Sequence, residues 1–161
     1  MFIWSMRNLG RVNMWGCDVA FSASGRLAGW LRLRTDASWS YQRAVDVTDK
    51  DSKYYKHQIA YTPRHSGYFS TVFETRWFNL AYSVQAVGTR YSLSQNTMAY
   101  RIEPYADHGL SLNRTFTFGQ RHGWRLAASA EALNLAGKNY EVMKYYPMPG
   151  RNWRITLKIS Y

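Results

Sequence analysis

Four histidines (His57, His65, His108 and His122), one cysteine (Cys17) and many serines and aspartates are the groups here that could bind a metal or attack a carbonyl. Their arrangement supports neither chemistry. The histidines are scattered, with none at metal-ligand spacing, and no serine sits in a glycine-flanked nucleophile elbow. The single cysteine excludes an intrachain disulfide. The residues therefore predict no enzyme, no metal and no cofactor.

A second set of charged residues is organised. Arg32, Arg34, Asp36, Arg125, Glu131, Arg154 and Lys158 each alternate with apolar or small neighbours. Period-two alternation places such residues on one face of a strand. They could serve as a wetted wall or as ligand contacts, and either role needs strands to hold them.

The last nine residues show those strands most clearly. Trp153, Ile155, Leu157, Ile159 and Tyr161 alternate with Arg154, Thr156, Lys158 and Ser160 up to the carboxylate. This pattern fits a closing strand with lipid on one side and a polar lumen on the other. Similar segments recur upstream. Trp15, Cys17, Val19, Phe21 and Ala23 share a face, followed by an expected tight turn at Ser24-Gly25-Arg26. Leu31, Leu33, Ala37, Trp39 and Tyr41 oppose Arg32, Arg34, Asp36, Ser38, Ser40 and Gln42. A third strand begins around Phe69, Thr71 and Phe73 and ends at Thr75-Arg76, and a fourth runs from about Trp77 to Tyr91. Leu110 to Phe118 form a fifth, turned by Gly119-Gln120-Arg121-His122-Gly123, and Trp124 to Ala132 a sixth. Polar connections fill about 44–63, 92–104 and 134–150.

Connections thus alternate between short and long, as in outer-membrane barrels with tight periplasmic turns and long extracellular loops. Aromatic residues fall at two levels. Trp30, Phe73, Trp77, Phe78, Phe116, Phe118, Trp124 and Tyr161 predict the girdle beside the short turns. Tyr41, Tyr91, Tyr105 and Tyr140 predict the opposite one. Arg114 breaks the pattern, falling on the apolar face between Leu112 and Phe116. A bulge, snorkelling or a register slip would each account for it.

Composition agrees. The 161 residues are 46% hydrophobic and 17% aromatic, with 13 Tyr and 7 Trp. Mean hydropathy is -0.46, and no stretch approaches the ~18 apolar residues of a spanning helix. A net charge of +11 could suggest nucleic acid. The charges alternate along strands instead of clustering, so no nucleic-acid partner is expected. Seven strands is an odd number, and an open sheet would leave unpaired edges in lipid. The expectation is an all-β, antiparallel transmembrane barrel segment of about seven strands, part of a larger barrel. Met1 to Arg7 lack a signal-peptide core, so the leader was removed or this is a piece of a longer polypeptide.

Several motifs resemble the C-terminal end of TonB-dependent outer-membrane receptors. They are Ala132-Leu133-Asn134-Leu135, Asn139-Tyr140-Glu141, and Tyr146-Pro147-Met148-Pro149-Gly150-Arg151 before the last strand. Tyr61-Thr62-Pro63-Arg64-His65 and Asn13-Met14-Trp15-Gly16-Cys17-Asp18 resemble upstream family segments. In the closing hairpin (Asn134, Tyr140, Glu141, Pro147, Pro149, Gly150, Arg151), the prolines restrict φ and discourage pairing. Gly150 is expected to permit a sharp approach to the strand. The resemblance implies that residues 1–161 are the C-terminal part of a barrel of ~22 strands, without plug or TonB box. The whole would import an iron chelate, haem, cobalamin or similar nutrient, and this piece alone would be inactive in transport. Trp153, Ile155, Leu157, Ile159 and Tyr161 would carry the signal read by the barrel-assembly machinery. The TonB complex would engage only through the missing plug region.

Lys50, Lys53, Lys56, Lys138, Lys144 and Arg151 are loop cations that could pair with lipopolysaccharide phosphates in the bacterial outer membrane. Two other readings compete. A small self-contained barrel, a lipid enzyme or adhesin, would need an eighth strand and a closed sheet. A soluble basic nucleic-acid-binding β domain would need no lipid.

Overall fold

The computed structural model describes residues 10–118 and 123–161. Seven strands run in simple succession: β1 (Val12–Ala28), β2 (Leu31–Asp46), β3 (His65–Thr75), β4 (Asn79–Val87), β5 (Tyr105–Phe118), β6 (Trp124–Leu133) and β7 (Asn152–Ser160). They form one sheet in that order, each antiparallel to its neighbours. The sheet does not close, and β1 and β7 are its edges. Among the described residues the main sheet has seven strands and does not close, whereas the self-contained barrel would require an eighth strand and closure. No described helix is long and apolar enough to cross a membrane.

Register makes the alternation two-dimensional. Val19 faces Trp39, Ala37 faces Phe69, and Phe69 faces Val84. Leu80 faces Leu112, Phe116 faces Leu126, and Ala130 faces Ile155. Directly opposed residues share a face, so one largely apolar surface runs from β1 to β7, interrupted by His108 opposite Val84 and Arg114 opposite Ala128. Its large side chains are exposed: Ile155 is 78% and Phe21 60% accessible. A soluble sheet would cover such a surface.

Turns differ in detail from the expected ones. The chain does not turn at Ser24-Gly25-Arg26. β1 continues, pairing these residues with Arg34, Leu33 and Arg32, and the turn lies at Gly29-Trp30. Each added pair satisfies backbone groups that an earlier turn would leave unpaired. Trp77 and Phe78 lie outside β4, in a turn held by Thr75. Its Oγ1 accepts from the N–H groups of Trp77 (3.2 Å) and Phe78 (3.0 Å) and donates to Phe78 O at 2.6 Å. β4 stops at Val87 and β5 starts at Tyr105, five residues before the expected Leu110. Gly119 to His122 of the remaining turn, and the Met1 to Arg7 start, lie outside the described residues.

Arg114 needs no bulge. It sits in register opposite Ala128 on the apolar face, with its guanidinium 4.6 Å from the Phe116 ring centroid. The cation is thus carried over an aromatic face beside the short-turn girdle. That girdle forms pairs: Trp30 with Trp77 at 5.8 Å, Phe116 with Phe118 at 6.2 Å, and Trp124 with Tyr161 at 5.3 Å.

The opposite girdle is corrected. Tyr41 lies on the apolar face with Trp15, Trp39 and His65, whose rings are 5.0–6.4 Å apart where they meet. Tyr105 pairs with Val87, on the polar face, and Tyr140 stacks on it at 4.2 Å. Tyr91 belongs to a two-residue ribbon outside the main sheet. Counting parity from Leu110 puts Tyr105 on the polar side, which its amphipathic ring concealed.

Candidate functional site

The buried residues are not in the sheet's middle. Among the described residues, Ala44, Val45, Ile102 and Ala132, with the polar Gln58, Arg90 and Asn134, are the buried ones. All lie at the long-connection end, where the segments 47–64, 88–104 and 134–151 pack together.

Polar contacts join the first two segments. The Gln58 N–H donates to Asn96 Oδ1 at 3.1 Å, and Asn96 Nδ2 donates to Gln58 O at 2.9 Å. His57 Nδ1 lies 3.1 Å from Gln95 O, and the Tyr61 N–H donates to Tyr91 O at 2.7 Å. The Gln58 side chain also secures the end of β2, accepting from the Ala44 N–H and donating to Gln42 O.

The second and third segments are clasped by cations on carbonyls. Arg90 Nη2 donates to Glu141 O at 2.7 Å and Val142 O at 2.9 Å, and its guanidinium lies over Tyr105. Lys144 Nζ donates to Arg101 O at 2.8 Å. Burial lowers the pKa of Arg90 from its ordinary value. Tyr140 adds a tie to the sheet by donating to Asp107 Oδ2 at 2.8 Å. Burial first, then that bond and the nearby carboxylate charge, push its phenol up to about 12.

The closing-hairpin residues separate into two groups. Asn134, only 2% exposed and with φ of 49°, holds the third connection closed. Its Nδ2 donates to Lys138 O and Pro149 O, and its Oδ1 accepts from the Lys138 N–H. Glu141 accepts from the Tyr145 N–H and pairs with Pro147 in a short ribbon whose register shifts there. Pro147 therefore joins a ribbon instead of preventing pairing, at an irregular position where proline is tolerated. Gly150 has open space and no left-handed φ, so it is not the sharp corner. Within this connection the left-handed positions are Asn134, Gly137 and Tyr145, and Arg151 lies against Gly137.

All seven organised charges stand on the polar face. Arg34 Nε meets Asp36 Oδ2 at 3.1 Å, and Asp36 Oδ1 accepts from Ser22 Oγ at 2.7 Å. Arg154 and Glu131 face each other across β6 and β7 and form an ion pair, with Nε donating at 2.6 Å. Arg32, Arg125 and Lys158 share the face but join neither pair. The structure does not gather the seven into one site.

Of the loop cations, Lys50, Lys53, Lys56, Lys138 and Arg151 are exposed, whereas Lys144 is engaged with Arg101 O. Trp153, Ile155, Leu157, Ile159 and Tyr161 are all exposed on the apolar face, 66–94% accessible. No group of three or more His, Cys, Asp or Glu able to hold a metal occurs among the described residues.

A pocket of about 370 Å³ opens between the first two connections, lined by residues including Thr62, Arg64, His65, Thr89, Arg90 and Tyr91. Sequence reasoning missed Gln58, Arg90, Asn96 and Asp107. They lie in connections or at a strand end, where no periodicity marks them.

Residues 2–135 match the family model described as TonB dependent receptor-like, beta-barrel. The match ends at Leu135, in the first residues of the third connection, and does not include β7. No curated protein matches the chain.

Proposed function

This chain belongs to the TonB-dependent receptor-like β-barrel family, and we propose that it is the C-terminal wall of an outer-membrane importer of a nutrient such as an iron chelate, haem or cobalamin. The apolar surface running from β1 to β7 carries the reading. It suits hydrocarbon, while Arg32, Arg34, Asp36, Arg125, Glu131, Arg154 and Lys158 line the water-filled or plug-filled side.

β1 and β7 run in the same direction, because an even number of antiparallel steps separates them. An odd number of further strands is therefore needed to close an antiparallel barrel, giving the even total usual in these proteins. On this reading residues 1–161 are one part of a barrel, and they transport nothing alone. TonB engages the importer through a plug region outside them. The role is transport and not catalysis.

With the long connections outward, as in outer-membrane barrels, 47–64, 88–104 and 134–151 lie at the outer surface. Lys50, Lys53, Lys56, Lys138 and Arg151 then meet lipopolysaccharide phosphates, and the β7 aromatic and aliphatic stripe is read by the barrel-assembly machinery.

The test expresses the chain behind a cleavable leader, alone and joined to the upstream strands and plug. We expect the joined form in the outer membrane, with heat-modifiable gel mobility and TonB-dependent uptake of an iron chelate. The chain alone should give no uptake. Recovery of the chain as a soluble periplasmic monomer, with its apolar face covered, would refute the reading.

A further inference from the structure

We infer that the pocket between the first two long connections binds a small soluble molecule through an oxyanion, a carboxylate or phosphate, held by Arg64 and Arg90. The inference rests on the import reading and deepens it by naming the chemistry of a contacting group on the incoming molecule.

Charge comes first. The pocket's nine lining residues include two arginines and a histidine and no carboxylate. Thr89 and Tyr91 add hydroxyl groups, whereas the Thr62 hydroxyl is donated to Ala60 O. A wall of cations and neutral donors favours anions and repels cations, and about 370 Å³ is the size of a small-molecule site.

Arg90 supplies the independent observation. It is only 4% exposed, and its Nη2 is spent on two carbonyls of the third connection. Its Nη1 has no hydrogen-bond partner. Among the described residues no carboxylate forms an ion pair with it. A buried guanidinium with an idle donor and no counter-charge is unfavourable. An oxyanion in the adjoining pocket would supply the missing counter-charge at short range, since guanidinium groups match carboxylate and phosphate geometry. Arg64 stands exposed in the same lining and can close over the anion from the solvent side. Two fixed features keep this wall in place. Gly88 lies so close to His65 that an added Cβ would meet its carbonyl at 3.0 Å, and the Gln58–Asn96 bonds brace the floor.

Isothermal titration of the full 161-residue chain in neutral maltoside micelles, with citrate, inorganic phosphate and glucose as probes, tests this. Citrate or phosphate should bind and glucose should not, with affinity falling as salt rises. Arg64→Gln should weaken anion binding at least tenfold, as should Arg90→Gln. Arg101→Gln, outside the pocket, should change it less than twofold. Because Arg64 is exposed, its variant remains informative even when Arg90→Gln disturbs the loops. Absence of anion binding, or equal losses in the Arg64 and Arg101 variants, overturns the inference.

Heat-modifiable mobility, measured in parallel, separates the two readings. A chain that inserts but binds no anion defeats only the pocket. One that binds anions through Arg64 without inserting defeats only the barrel role, and one that does neither defeats both.

Discussion

The phenol of Tyr140 and the carboxylate of Asp107, 33 residues apart, are joined by a 2.8 Å hydrogen bond that fastens the third long connection to β5. The Tyr140 ring also stacks on Tyr105 at 4.2 Å. Tyr140→Phe keeps the stack and removes the donor. We expect a loss of about 1–2 kcal/mol, measured by thermal unfolding in micelles, with 134–151 loosened first in hydrogen exchange.

That bond also has a pH signature. The phenol is pushed from 10.0 up to about 12 in the folded chain, so folding favours its neutral form. The stabilisation is complete below pH 10 and is lost as pH rises toward 12. Absorbance titration should show one late tyrosine, absent in Tyr140→Phe. Identical stability slopes for both chains between pH 10 and 12 would contradict this.

Asn134 closes its connection with three hydrogen bonds from a left-handed backbone. Asn134→Ala loses the bonds and strains φ, whereas Asn134→Gly loses only the bonds. We expect about 2–3 kcal/mol lost for alanine and somewhat less for glycine. Limited trypsin digestion at Lys138 should accelerate in the same order.

Arg114 is a cation on the hydrocarbon face, softened by the Phe116 ring. Arg114→Leu should stabilise the protein in vesicles by up to about 2 kcal/mol, between the interface and midplane values for such a residue. Urea unfolding in thin phosphatidylcholine bilayers reads this, and a destabilised leucine variant would mean the face is not in lipid.

Adjacent positions on β7 should behave oppositely. Leu157 lies on the apolar face opposite Ala128, and Thr156 on the polar face opposite Ser129. Leu157→Arg should reduce membrane stability by about 2–4 kcal/mol, and Thr156→Arg by less than 1. Folded yield in the outer membrane should follow the same order.

Strand number, order and face were legible because each depends on neighbouring residues: parity along Trp153 to Tyr161 or Leu31 to Gln42 is local, and so is the rhythm of short and long connections. The loop assembly was not. Arg90 meets Glu141 and Val142 more than fifty residues away, and Gln58 meets Asn96 across 38. Such contacts leave no period in the sequence.

By itself, then, the sequence determined an antiparallel sheet with one greasy side, since alternation is enough to assign a face. Only the tertiary structure decided that Tyr105 joins the polar side, that Arg114 needs no bulge, and that a buried Arg90 stands in a pocket without a counter-charge. Register and loop packing arise when distant segments meet, and the energies that choose them depend on partners the local chain does not specify.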